Sequence, residues 1–208
     1  MRLPLSIATL TLVLPLVAAA EPVALAYDIR KEGEPIGRET VRIIDQGGTT
    51  AVQVETRTRA KVLFLEFHYD HSRHEEWRDG KLLRMAARTD DDGSKTQPEA
   101  SAGEAGWTLT VNGQATQRAG DSLPLTLWGR AILGKAELFS VIDAKPYRVQ
   151  VASLGAESVD VGGKAVKAEH VRISGDVERD LWYGADGYLL RATFQRAGYP
   201  IEMVRLDR

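Results

Sequence analysis

The sequence predicts a mainly β fold: a curved antiparallel meander forming a half-barrel or incomplete barrel, with one short helix on its concave face. Three observations carry this. Apolar and polar residues alternate with period two from Val23 onward. Turn chemistry recurs at Glu32-Gly33-Glu34-Pro35, Gln46-Gly47-Gly48, Asp79-Gly80, Asp92-Gly93, Asn112-Gly113 and Gly162-Gly163. Only one segment, from Ser122 to Leu133, reads as a helix.

Ala24-Tyr27-Ile29 starts the first strand, Arg38 to Ile43 forms the second, and Thr49 to Thr58 the third, with Val52 and Val54 sharing a face. Val62 to Tyr69 is the most apolar strand, and Leu63, Leu65, Phe67 and Tyr69 are expected to point inward. Trp77, Asp79-Gly80 and Leu82 to Arg88 form a hairpin. Lys95 to Ala102 reads as a weak edge strand because it contains Pro98. Trp107-Leu109-Val111 runs into Asn112-Gly113, a strong hairpin signal. After a polar stretch, Ser122 is placed to cap a helix over Leu123 to Leu133, with Pro124 in its first turn. Leu125, Trp128 and Ile132 would share its buried face, while Gly129 and Gly134 limit it to about three turns. Tyr147 to Ser153, Ala156 to Val161, Lys164 to Ser174 and Asp176 to Tyr183 alternate again. The closing hairpin, Arg179 to Arg208, echoes the earlier one: Trp77-Arg-Asp-Gly-Lys-Leu-Leu-Arg84 against Trp182-Tyr-Gly-Ala-Asp-Gly-Tyr-Leu-Leu-Arg191. Aligned, Leu83 matches Leu190 and Arg84 matches Arg191, with the two side chains of each pair expected on opposite faces.

The chain opens with the marks of an export signal. Arg2 supplies a positive start, Leu3 to Ala20 is uncharged, and Ala18 and Ala20 form a small-x-small cleavage pattern. The expectation is a signal peptide at 1–20 and a single β-rich domain at 21–208, periplasmic or secreted after cleavage near Ala20. Removing Arg2 leaves a mature net charge of −3 from a mixed surface, which gives nucleic acid nothing to bind. The absence of cysteine excludes disulfides, thiolate metal sites and cysteine nucleophiles, so stability must come from core burial.

Three stretches together resemble an uncharacterised family of exported bacterial domains of unknown function. They are Leu181-Trp182-Tyr183 with Asp186-Gly187, Leu189-Leu190 and Ile201-Glu202-Met203; Leu127-Trp128-Gly129 with Ile132-Leu133; and Leu154-Gly155 with Val159 to Ala168. Members of that family often carry Asn after the Trp of the second stretch, where Gly129 stands here. More distantly, the layout is similar to the periplasmic lipoprotein carrier and receptor proteins. That similarity implies an incomplete barrel with helices in its mouth, holding acyl chains.

No catalytic constellation is visible. Gly120-Asp121-Ser122-Leu123 spells an esterase nucleophile motif, but the one downstream histidine, His170, has Lys167 where the acid should stand, and a helix N-terminus explains Asp121 and Ser122. His68, His71 and His74 alternate with carboxylates. On an extended strand, however, His68 and His74 are roughly 20 Å apart, so no metal site is assigned and His74 with Glu76 come nearest to one. No cofactor is called for. The four tryptophans suit core packing or a pocket rim. The reading is therefore an exported protein that binds or carries an apolar, lipid-like ligand or acyl chain. Trp128, Leu125, Ile132, Phe64 and Trp182 are the expected pocket lining. The alternative is a structural module with a filled core that engages an envelope protein partner; an enzyme is the third reading.

Overall fold

The computed structural model describes residues 21–62, 64–104 and 106–206. The predicted signal segment lies outside them. No helix among them is long and apolar enough to cross a membrane.

Five long strands open the fold: β1 (Val23–Lys31), β2 (Glu34–Asp45), β3 (Thr50–Val62), β4 (Leu65–Arg78) and β5 (Lys81–Asp91). Shorter strands follow as β6 (Ser94–Thr96), β7 (Pro98–Gly103), β8 (Gly106–Val111), β9 (Gln114–Ala119), β10 (Leu123–Pro124) and β11 (Glu137–Phe139). A second run of strands closes the chain: β12 (Pro146–Val161), β13 (Lys164–Gly175), β14 (Arg179–Tyr183), β15 (Leu189–Arg196) and β16 (Tyr199–Arg205). The two stretches predicted around Leu154-Gly155 are one strand, β12, whose ladder with β13 shifts between Ser153 and Gly155. The polar stretch after Asn112-Gly113 also pairs, as β9.

All sixteen strands belong to one curved, open sheet. The first and last strands pair with each other in its middle, with Ile29 opposite Met203. Neighbours pair antiparallel throughout, except for a short parallel contact between β10 and β11. No ladder joins β9 to the opposite end of the sheet among the described residues, although Arg118 on β9 reaches Glu137 on β11 at 3.3 Å. The meander curls until its ends nearly meet and stops there, which is the incomplete barrel the alternation predicts. Asp79 and Gly80 both take left-handed backbone (φ 49° and 72°), as do Asn112 and Gly113 (φ 49° and 85°). These are the two-residue turns whose twist matches that of paired strands.

The concave face holds the main core. Tyr27, Val41, Val52, Val54, Val171, Ile173, Leu181 and Tyr183 are buried there against Ile132, Leu138 and Phe139. Across this face runs a strap, residues 123–145. Where a helix of about three turns was expected, the strap is extended, with one turn of 3-10 helix at Arg130–Ile132. Its backbone groups bond to distant partners rather than along a helical ladder: Leu125 N–H donates to Phe139 O, further along the strap, at 2.8 Å, and Leu189 N–H of the sheet donates to Trp128 O at 3.3 Å. Gly129 is fully extended (φ −144°, ψ −179°), which interrupts the segment where the helical ladder would have to run. The capping role assigned to Ser122 is not taken, since its buried hydroxyl has no partner. The expected helical face survives only in part: Ile132 is buried, whereas Leu125 and Trp128 pack against the core half-buried.

A second, smaller cluster lies on the outer face, where Leu190 packs with Val159, Val161, Ala168 and Val204 under Trp182.

Candidate functional site

The strap is fastened to the sheet by buried polar groups that begin on β4. Inward-facing positions of this strand run Tyr69, His71, Arg73, Glu75, Trp77, so its inner face turns from apolar to charged midway. The Arg73 Nε–H donates to Glu75 Oε1 at 2.7 Å, and both side chains are nearly inaccessible. Glu75 Oε2 accepts from two indoles, Trp77 at 2.9 Å and Trp128 at 2.8 Å. Arg73 also donates to Thr126 Oγ1 at 3.1 Å and to His71 Nε2 at 3.2 Å. Thr126 and Trp128 are strap residues, so one buried ion pair holds the strap from two directions. Trp77 and Trp128 meet edge to face, centroids 5.8 Å apart. Arg130 ties the far side of the strap to Glu169 at 3.2 Å and to Gly184 O at 3.1 Å.

His71 is neutral in this setting. Burial, reinforced by the positive charge of Arg73 and Arg196, pulls its pKa down to about 3. Because Nε2 accepts from Arg73, Nδ1 carries the proton and donates to Thr89 Oγ1 at 2.9 Å. Glu39 accepts from Thr56 Oγ1 at 2.8 Å, and burial raises its pKa despite that bond and the nearby Arg73. The residue as a whole is half-buried.

Beside these groups the strap leaves a cavity of about 180 Å³. Its floor is Glu39, Thr56, His71 and Arg73. Ile29, Leu125, Leu127, Phe194, Ile201 and Met203 form an apolar middle. Register sets Ile29 and Met203 one row beyond Glu39, and Ile201 and Phe194 a row further toward the mouth. Tyr69, Tyr147, Arg179 and Arg196 complete that mouth. Arg196 is paired with Asp91 at 2.7 Å and lies over the Tyr69 ring at 4.3 Å. Burial pushes the Tyr69 hydroxyl up to about 12 and lowers Arg179 to about 10. A larger groove, about 580 Å³, crosses the outer face past Arg172, Asp180, Arg191 and Glu202. Four of its charges are neutralised in pairs, Arg172 with Asp180 and Arg191 with Glu202, while Arg179, which also lines the cavity, reaches it from the inner side.

The residues proposed from sequence fall in different places. Leu125 lines the cavity, and Trp128 fastens the strap beside it. Ile132 is buried in the main core. Phe64 stands 95% exposed at the tip of the β3–β4 hairpin, outside the cavity. Trp182 faces outward, stacked on His170 at 4.6 Å with its indole bonded to Glu157. Of the set expected inward from Leu63 to Tyr69, Tyr69 does face the cavity, whereas Leu65 and Phe67 are corrected. Leu65 and Phe67 are 65% and 40% exposed because the hairpin overhangs the rest of the sheet; Leu63 lies outside the described residues. Of the residues nearest to a metal site, His74 is exposed and Glu76 is engaged by Arg84. Among the described residues no group of three potential ligands converges. Ser122 and His170 form no dyad, since the His170 ring nitrogens face Asp180 at 2.7 Å and Glu157 at 3.3 Å.

Sequence reading missed the polar floor. Its one signal was the switch from Leu65-Phe67-Tyr69 to His71-Arg73-Glu75 on a single strand face. The partners that make it a site, Thr126 and Trp128, sit 53 residues away in the chain.

A family model described as a domain of unknown function (DUF6134) matches residues 27–206. No curated protein matches the sequence. Among solved structures, a β-barrel-like protein of a domain of unknown function, DUF1849, from Brucella abortus superposes with a TM-score of 0.68. It is 13% identical, and the match covers 89% of this chain and 96% of that one. That likeness is one of fold.

Proposed function

The chain belongs to the DUF6134 family, and we propose that its strapped concavity binds a small amphipathic ligand. The observation that carries this reading is the cavity itself. About 180 Å³ is left unfilled beneath a strap that is otherwise firmly packed, and apolar side chains separate its polar floor from its charged mouth. Empty space in a core forfeits packing contacts, and a ligand restores them at about 0.8 kcal/mol per buried methylene. The volume holds about six water-sized groups and falls below the roughly 300 Å³ of common small-molecule sites. The occupant is therefore short, or is one end of a longer acyl chain whose remainder stays outside unless the strap lifts. The signal-like segment at 1–20 supports a place of action in the periplasm or outside the cell.

Titration with 1-hexanol, followed by methyl NMR, tests the reading. Saturable shifts confined to Ile29, Leu127, Ile201 and Met203 are expected. Unmoved methyl signals in the folded protein would rule it out.

A second reading, an envelope interaction module, is favoured by one observation. Phe64, Leu65 and Phe67 form an exposed apolar hairpin tip among the described residues. Crosslinking from this tip to a single envelope protein, with 1-hexanol leaving the cavity methyls unmoved, would support it.

A further inference from the structure

The cavity mouth carries two guanidinium groups with different fates. Arg196 is matched by Asp91 at 2.7 Å. Arg179 is not matched: among the described residues no carboxylate pairs with it, and its Nε is buried without a hydrogen-bond partner. The bond it does make is a long one, from NH1 to the carbonyl of Glu178 at 3.4 Å. The guanidinium carbon lies over Phe194, 4.1 Å from the ring centroid, at the edge of the apolar lining. Arg179 takes an inward-facing position on β14, next to Ile173 of β13.

Removing a cation from water without a counter-charge is costly, and proteins rarely retain one unless something pairs with it. Among the described residues no carboxylate does. We propose that Arg179 receives the carboxylate of a short-chain carboxylic acid whose apolar tail fills the cavity between Phe194 and Met203. This rests on the reading of the cavity as a ligand site and adds the chemistry of the ligand's head.

The guanidinium fork matches a carboxylate with two parallel N–H···O bonds. A single negative charge suits the site better than a phosphate dianion, because Asp91 stands at the mouth and Glu39 on the floor. Arg196 lends further positive potential without leaving Asp91, and Tyr147, also lining the mouth, adds a hydroxyl donor. Six water-sized groups accommodate a tail of about five carbons, which makes hexanoate a fitting probe.

Hexanoate and 1-hexanol are titrated separately, at low salt, into the wild-type protein and Arg179→Met. Methionine keeps an unbranched apolar stem over Phe194 and removes the charge. The wild type is expected to bind hexanoate roughly tenfold or more tightly than 1-hexanol, as a charge-assisted bond predicts. Arg179→Met should lose that preference while still binding 1-hexanol. Without ligand, the variant should melt no lower than the wild type, since it sheds an unpaired, half-buried charge. Equal wild-type affinity for the two probes, or a preference that survives in Arg179→Met, overturns the carboxylate site and leaves the cavity reading standing. A lower melting temperature in the ligand-free variant also overturns it, by making Arg179 a structural residue. Binding of neither probe overturns the cavity reading and this site together.

Discussion

The hairpins around Asp79-Gly80 and Asp186-Gly187 share a sequence signature and put their tryptophans on opposite faces of the sheet. In both, the first leucine points inward and the second sits where the ladder shifts register. Trp77 pairs with Leu82 and Glu76 with Arg84, leaving Leu83 over; Tyr183 pairs with Leu189 and Trp182 with Arg191, leaving Leu190 over. The repeated Leu-Leu-Arg is thus a repeated β-bulge. The difference lies before it. The first hairpin turns on two residues and leaves Trp77 inside, donating to Glu75. The second turns through Gly184 to Tyr188, with Gly184 N–H bonded to Tyr188 O at 2.9 Å, and its longer path gives the inner place to Tyr183. Trp182 moves outside. One step of register decides whether a tryptophan anchors the strap or roofs a surface cluster.

The bulge also corrects the expectation that Leu190 and Arg191 lie on opposite faces. Leu190 packs in the outer cluster with Trp182, and the Arg191 guanidinium lies over the same indole at 5.3 Å.

This contrast can be broken most severely at Glu75. Glu75→Ala strands Arg73 and two indole N–H groups, and should cost about 3–5 kcal/mol in urea unfolding. A loss below 1 kcal/mol would show that the strap is not held by this pair. At the shared bulge position, Leu190→Ala should cost about 2–3 kcal/mol and Leu83→Ala about 1 kcal/mol, since only Leu190 is fully buried; equal losses would remove the distinction between the hairpins.

Acid sharpens the contrast further. The folded-state pKa of His71 lies below its ordinary value of 6.5, near 3. The unfolded chain therefore binds the extra proton between those values. The stability His71 contributes is complete above pH 6.5 and is lost as pH falls toward 3. His71→Gln should flatten the stability profile in that window by up to about 1.4 kcal/mol per pH unit, and an unchanged slope would contradict a neutral, buried His71. The smallest effect is expected at the outer tryptophan. Trp182→Phe should cost about 0.5 kcal/mol, while Trp77→Phe should cost about 1–2 kcal/mol by leaving Glu75 short of a donor.

Much of the fold was legible because its signals are local. Alternation marked the strands, and Asp79-Gly80 and Asn112-Gly113 marked tight turns. The strap was not legible as extended chain. Leu125, Trp128 and Ile132 carry helical spacing, and what overrides it is non-local: Leu125 bonds Phe139, on the strap's returning strand, and Trp128 bonds Leu189 of the sheet. Nor could alternation show where the concave face ends, so the overhanging Leu65 and Phe67 read as core. The cavity was legible least. It is a space between Ile29, Leu127 and Met203, residues that only the closing of the meander brings together.

The most direct test of the central claim, that the strapped concavity is a ligand site, is native mass spectrometry of the protein purified from the cells that make it. A one-to-one adduct of a small carboxylic acid that added hexanoate displaces is expected. A bare protein mass, unchanged after incubation with hexanoate, would contradict it.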